Sequence, residues 1–251
     1  MGCGTMANGR GWGQDATLTP GWARVGQAAL NAAAAPETWV PAAGALAFQI
    51  GDADRNMEKW AANTTPLYGS QRNAGHVSNR LRDAAGAIWV VSALATPSGD
   101  TFADWTIAKT EGFGVQTGAG ILMRGSVGLL KDSTDRTRPN GYDKGSFPSA
   151  HAANAAFFST LASRNLETLQ WSVTATTAAQ VGLGTLTAAT AWARVEANQH
   201  FPSDVLGGIA LGHFLGAFFT DAFLGLDNPG HVVLLLELSR EGTVALIRFN
   251  Y

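Results

Sequence analysis

Apolar positions recur at helical spacing along most of this chain, in long stretches separated by short clusters of Gly, Pro, Asp and Ser. Residues 1–21, rich in Gly and Asn, read as an irregular arm. A helix is predicted after Pro20, whose fixed φ suits a first turn, running through Val25, Ala28, Ala29 and Ala32 until Pro36 stops it. Trp39–Ile50 is a second apolar segment and leads into a helical Asp52–Ala62. Asn73–Ala95 predicts a long helix, polar at first (His76, Arg80, Arg82, Asp83) and then apolar through Ile88-Trp89-Val90-Val91, ended by Pro97-Ser98-Gly99-Asp100. Phe102–Leu130 gives one or two helices, since Gly112, Gly114, Gly118 and Gly120 permit a break or a close helix contact. Lys131–Phe147 is dense in Asp, Arg, Pro, Asn and Gly and reads as a loop. Helices are expected again at about 149–164, 175–194 and 202–225. Only the tail changes period: Val232–Leu238 and Thr243–Phe249 are rich in apolar and β-branched residues around Arg240-Glu241-Gly242, which predicts a β-hairpin within residues 230–251.

Composition alters this picture little. At 251 residues, with no linker and no internal repeat, one domain over 1–251 is expected. The formal charge of -2, with no basic block, speaks against nucleic acid as a partner. Val205–Leu226 is apolar enough to span a bilayer but contains His213 and Asp221, so a buried bundle helix is the expectation. The scattered tryptophans are expected in the core or between helices, and His76 and His231 at the surface. The single cysteine, Cys3, excludes an internal disulfide and a cysteine-based zinc site. Its setting, Gly2-Cys3-Gly4, resembles the end of a bacterial lipoprotein leader, where a small residue precedes the cysteine that becomes acylated. That reading places the protein in the cell envelope, facing the periplasm and lipid-anchored through Cys3; a cytoplasmic protein with an incidental thiol is the alternative.

The chemistry is concentrated between Lys131 and Asp204. Lys131 is followed by Arg138-Pro139, then by Pro148-Ser149-Ala150-His151, and finally by Arg194, His200 and Asp204. Three fixed cations, two imidazoles and a carboxylate suit holding a dianion, attacking it and protonating what leaves. Pro148 sits where a helix would begin, so Ser149 and the backbone N–H of Ala150 can serve an anion at that terminus. Taken alone, Ser-Ala-His is equally a plain cap beside a surface histidine. His200 and Asp204, four apart, can hydrogen-bond in a first helical turn, fixing the tautomer and leaving the other nitrogen free. That spacing also fits a purely structural pair. Asp132, Asp135, Arg136, Asp143 and Lys144 read as solvated loop charges, with Asp143 and Lys144 able to line the mouth of a site.

In order and together, these pieces resemble the type 2 phosphatidic acid phosphatase family, which includes bacterial nonspecific acid phosphatases and vanadium-dependent haloperoxidases. Its pattern is K-x₆-R-P, then P-S-G-H, then S-R-x₅-H-x₃-D. Lys131, Arg138 and Pro139 match the first part, Pro148, Ser149 and His151 the second, and Arg194, His200 and Asp204 the third. Ala150 replaces the family glycine and keeps its N–H, while Ala193 replaces a serine and loses a hydroxyl. The resemblance implies an all-α helical bundle with the motifs converging at one end. Lys131, Arg138, Ser149, Ala150 and Arg194 would hold the phosphoryl group, and His200 would attack it to give a phosphohistidine. Asp204 would stabilise the imidazolium, and His151 would be the acid and then the base. The implied activity is metal-independent hydrolysis of phosphate monoesters, lipid phosphates included, with no cofactor and a bell-shaped pH profile. The rival enzyme is a haloperoxidase holding vanadate on the same ligands. A third reading is an inactive lipoprotein scaffold.

Overall fold

The computed structural model describes residues 4–226 in full, and the backbone alone of Val233–Ser239 and Gly242–Arg248. Cys3 and His231 lie outside the described residues. Eight α-helices follow one another in chain order: α1 (Trp22–Ala34), α2 (Pro36–Ala47), α3 (Ala53–Thr64), α4 (Gln71–Ala95), α5 (Phe102–Thr134), α6 (Ala150–Glu167), α7 (Val173–Glu196) and α8 (Pro202–Phe219). A π turn, Thr220–Leu224, extends α8. The backbone of β1 (Val233–Ser239) pairs antiparallel with β2 (Gly242–Arg248), Ser239 opposite Gly242; the expected turn at Arg240-Glu241 and the side chains of residues 230–251 fall outside the described part.

Local chemistry sets the helix starts. Ser70, Thr101 and Ser172 each accept a hydrogen bond from the third residue of the helix that follows. Pro36 and Pro202 open α2 and α8, where a missing N–H costs nothing. Phe102–Thr134 is one unbroken helix of 33 residues, about 50 Å long at 1.5 Å per residue. It therefore carries Lys131 in its last turn, not in the loop, and the loop begins at Asp135 in the left-handed conformation.

The apolar α8 is the central element, packed by α6, α2, α1, α5 and α7. It is long and apolar enough to cross a membrane by length and composition, and half of its apolar window is buried inside the bundle. Small residues let α6 and α8 approach closely: a Cβ on Gly208 would stand 2.6 Å from the Ser149 carbonyl oxygen, and one on Gly212 would stand 2.2 Å from that of Ala153. On its other side α6 presents Ala153, Phe157 and Leu161 to Ala119, Met123 and Val127 of α5. A second cluster, Ala61, Ala152, Ala191, Val195 and Val205, ties α3, α6, α7 and α8 together beneath the motif residues.

The arm is anchored rather than loose. Trp12 is fully buried, donates to Asn165 Oδ1 at 3.0 Å and lies 4.9 Å from the ammonium of buried Lys109. Gly4 exchanges backbone hydrogen bonds with Gly99 in the α4–α5 connection. The tryptophans divide between inside and outside: Trp60, half-exposed, packs on Trp192 between α3 and α7, while Trp22, Trp39 and Trp171 are exposed, against the expectation of core or inter-helix positions.

Candidate active site

The three motifs meet at one end of the bundle, where the C-termini of α5 and α7 face the N-termini of α6 and α8. The loop 135–149 closes this end. It is held by the Ser146 N–H to the Arg136 carbonyl at 2.8 Å and by the Ser149 N–H to the Asp204 carbonyl at 2.9 Å. Helix α6 starts at Ala150 with Ser149 as its cap, so Pro148 precedes the cap instead of opening the helix. The N–H groups of Ala150 and His151, in that first turn, have no acceptor within the helix.

His200 is 2 % exposed, and its Nδ1 lies 2.8 Å from the Ser146 carbonyl oxygen. A carbonyl can only accept, so Nδ1 carries the hydrogen and the lone pair resides on Nε2. Asp204 is not the hydrogen-bond partner expected from the four-residue spacing: its Oδ2 lies 3.8 Å from Nδ1. That carboxylate is taken by the Ser146 hydroxyl at 2.5 Å, the Phe201 N–H at 2.8 Å and Arg136 at 2.7 Å. Burial works to raise the Asp204 pKa, but His200, Ser146, Arg136 and the Phe201 N–H together bring it below the ordinary value. Burial, with Arg194 and Arg138 adding and Asp204 opposing, lowers His200 to about 4, so its imidazole is neutral near pH 7.

Arg136 is the clearest departure from the sequence reading. Far from a solvated loop charge, it bridges Asp204 to the buried Asp54 of α3 at 2.6 Å, donates to Ser203 Oγ at 2.7 Å and covers the Phe201 ring at 4.4 Å. Asp54 also accepts from the Ser203 N–H and hydroxyl. Asp135 and Lys144 do behave as exposed loop charges, paired with each other.

The three motif cations surround this framework without a carboxylate partner among the described residues. Lys131 donates to the Gly145 carbonyl, and burial, Arg138 and Arg194 lower its pKa against the pull of Asp204. Arg138 donates to Gln199 Oε1 at 2.8 Å, while its buried Nε has no hydrogen-bond partner. Arg194 reaches Ser78 Oγ and Gln199 Oε1 only at 3.4 Å, and its buried Nε is likewise unpartnered. Burial first, then Arg138 and Arg82, lower its pKa to about 10. Buried cationic donors without a protein partner fit an anion with several acceptor oxygens.

His151 faces α4, which no motif marked. Its Nε2 lies 3.0 Å from Arg82 Nη1 and 2.7 Å from Asn79 Oδ1. Burial, then Arg194, Arg82 and His200, push it down to about 3, so it is neutral near pH 7, whereas the expected acid role needs the proton. Arg82, Asn79 and Ser78 escaped the sequence reading because polar residues three and four apart on a helix look like a solvated face; their one signal was the polar first half of Asn73–Ala95. Beside them, exposed His76 lines a hollow of about 360 Å³ together with Arg72, Arg194 and Gln199. His213 is placed as expected, inside the bundle, with Nδ1 2.7 Å from Thr38 Oγ1. No cluster of His, Cys, Asp and Glu suited to a metal occurs among the described residues.

Comparison with known proteins agrees with the motif reading. Residues 113–225, which contain all three motifs, match the PAP2 superfamily. The fold is shared with the crystal structure of a transmembrane PAP2-type phosphatidylglycerolphosphate phosphatase from Bacillus subtilis. The two are 21% identical with a TM-score of 0.54, over 73% of this chain and 92% of that one. No curated protein matches the chain significantly.

Proposed function

We propose that the site hydrolyses phosphate monoesters through a phosphohistidine on His200. The observation that carries this reading is the pair of buried, unpartnered guanidinium nitrogens, Nε of Arg138 and of Arg194, set with Lys131 about a histidine whose Nε2 lone pair is free. In this reading the three cations and the Ala150 N–H take the non-bridging oxygens, and Nε2 attacks phosphorus in line. The P–O bond to the alcohol breaks as the N–P bond forms, and His151 gives its proton to the departing oxygen. Water then attacks phosphorus, loses its proton to His151, and frees inorganic phosphate and His200. The charge on His200 during attack is balanced by Asp204 through space and by the Ser146 carbonyl on Nδ1. Bound dianion offsets the cations that, together with burial, hold His151 at about 3, which raises its pKa toward the range an acid catalyst needs. Fixed side-chain cations supply the charge neutralisation, so turnover is expected without added divalent metal.

The substrate class is an ester of phosphate. The name of the Bacillus subtilis neighbour and the exposed apolar side chains of this chain favour including lipid phosphates. The test is phosphate release from p-nitrophenyl phosphate and a short-chain phosphatidic acid in EDTA, wild type beside His200→Ala. Turnover by wild type alone is expected. Hydrolysis that survives in His200→Ala, or wild type inert until vanadate is added and bromide oxidised, would replace this reading.

A further inference from the structure

A groove of about 710 Å³ leads away from the phosphate site between α4, α5 and α6. It has room for more than a phosphate, falling within the range of sites for small organic ligands. Its α5 wall reads Arg124, Val127, Gly128, Lys131, a spacing of three, four and seven that puts all of them on one helix face. Val127, Gly128 and Phe158 make the middle of the groove apolar. A Cβ at Gly128 would meet nothing within 4 Å, so the space beside it is open.

The two ends differ in charge from the middle. Lys131 stands at the phosphate end. Arg82 and Asp83, both also on the wall, pair with each other and offset one another's charge, and Arg82 also meets His151. Arg124, at the far end, makes no hydrogen bond or ion pair with any described residue. Seven residues of helix separate it from Lys131, about 10 Å along the axis. A cation, an apolar floor and a second cation form the complement of a molecule with an anion at each end and hydrocarbon between.

We infer that this groove selects phosphate esters whose alcohol carries a second anionic group, phosphate or carboxylate, about 10 Å from the first phosphorus, with Arg124 as the residue that binds it. The inference rests on the phosphatase reading only for which end reacts; the binding preference stands by itself. Arg124 is a specificity residue and takes no part in bond breaking.

The test separates the two. Calorimetric Kd values are measured for octylphosphonate, octane-1,8-diphosphonate, butane-1,4-diphosphonate and 8-phosphonooctanoate, none of which can be hydrolysed at its P–C bond. Wild type should bind the octane diphosphonate or the phosphonocarboxylate roughly three- to tenfold tighter than octylphosphonate, the size expected of a partly solvated charge contact. The butane compound, equal in charge but too short, should show no such gain. Arg124→Gln should abolish the preference and leave p-nitrophenyl phosphate turnover intact, and Gly128→Leu should weaken all the eight-carbon ligands together. Equal affinities in wild type, the same gain with the short diphosphonate, or a preference that survives Arg124→Gln would overturn the inference. If the Arg124-dependent preference is found but p-nitrophenyl phosphate is inert, the phosphatase reading alone is lost.

Discussion

His151 presents one nitrogen to two partners that want opposite things from it. Arg82 can only donate, and holds Nε2 as an acceptor; the Asn79 carbonyl oxygen can only accept, and favours Nε2 carrying a proton. Burial, with Arg194, Arg82 and His200 adding to it, favours the unprotonated ring and holds His151 at about 3. Replacing Arg82 with Gln removes one cation and one donor, so the His151 pKa should rise. The acid-catalysis limb, lost as pH rises through that pKa, should then move to higher pH, by about one unit for about 1.4 kcal/mol of lost repulsion. Histidine NMR titration beside a kcat/KM profile measures both, and an unmoved His151 would show that Arg82 only packs. Asn79→Ala should move His151 the other way. His200 teaches a related lesson about legibility. Its identity was plain in the motif, but its partner was assigned from local spacing. The partner is a carbonyl 54 residues upstream, which only the folded loop brings to Nδ1.

The helices were legible because apolar spacing and stop residues agree, and the boundaries moved only where tertiary contacts outweighed local signals. The glycine-rich Phe102–Leu130 allowed a break, yet Gly112 lies under the Trp12 ring and Gly120 against Phe157, and the helix runs straight through both contacts. Glycine is needed more strictly between α6 and α8. Gly212→Ala would set a methyl 2.2 Å from the Ala153 carbonyl oxygen, which forces the helices apart. Destabilisation of about 1–3 kcal/mol is expected from such overpacking, read as a lowered denaturation midpoint. Because α6 carries Ser149 and His151 while α8 carries Asp204, activity should fall further than stability alone explains. An Ala at Gly114, where a Cβ meets nothing within 4 Å, is the control and should be neutral or slightly stabilising.

Across the whole molecule, the motif residues Arg194, His200 and Asp204 are buried ionisable groups, and the fold bears the cost in acid. His200 binds a proton at about 4 when folded and near 6.5 when unfolded. The unfolded chain therefore takes up more protons at this residue between those values, and the contribution of His200 to stability must fall as pH drops through that window and level off below it. The loss is on the order of 3 kcal/mol for His200; urea midpoints measured between these pH values should show it, and His200→Asn should reduce the slope, leaving the part that His151 contributes in the same sense. Asp204 acts in the same sense and lower down: its stabilising contribution is present above the ordinary carboxylate value and goes as pH falls through its depressed folded pKa.

The tie between Gly4 and Gly99 bears on which surface the enzyme works against. It sits at the start of α5, whereas Lys131 lies at the other end, some 40 Å away along the helix axis. If the protein is lipid-anchored as its sequence suggests, an acyl group on Cys3, next in sequence to Gly4, would tether the end of the bundle away from Lys131 and hold the proposed phosphate site toward the aqueous side. Such an enzyme should process water-borne esters freely and reach lipids of its own bilayer poorly. With acylated protein on vesicles that contain phosphatidic acid, hydrolysis of soluble ester should outrun that of the lipid, and detergent should narrow the gap by freeing the lipid to reach the mouth.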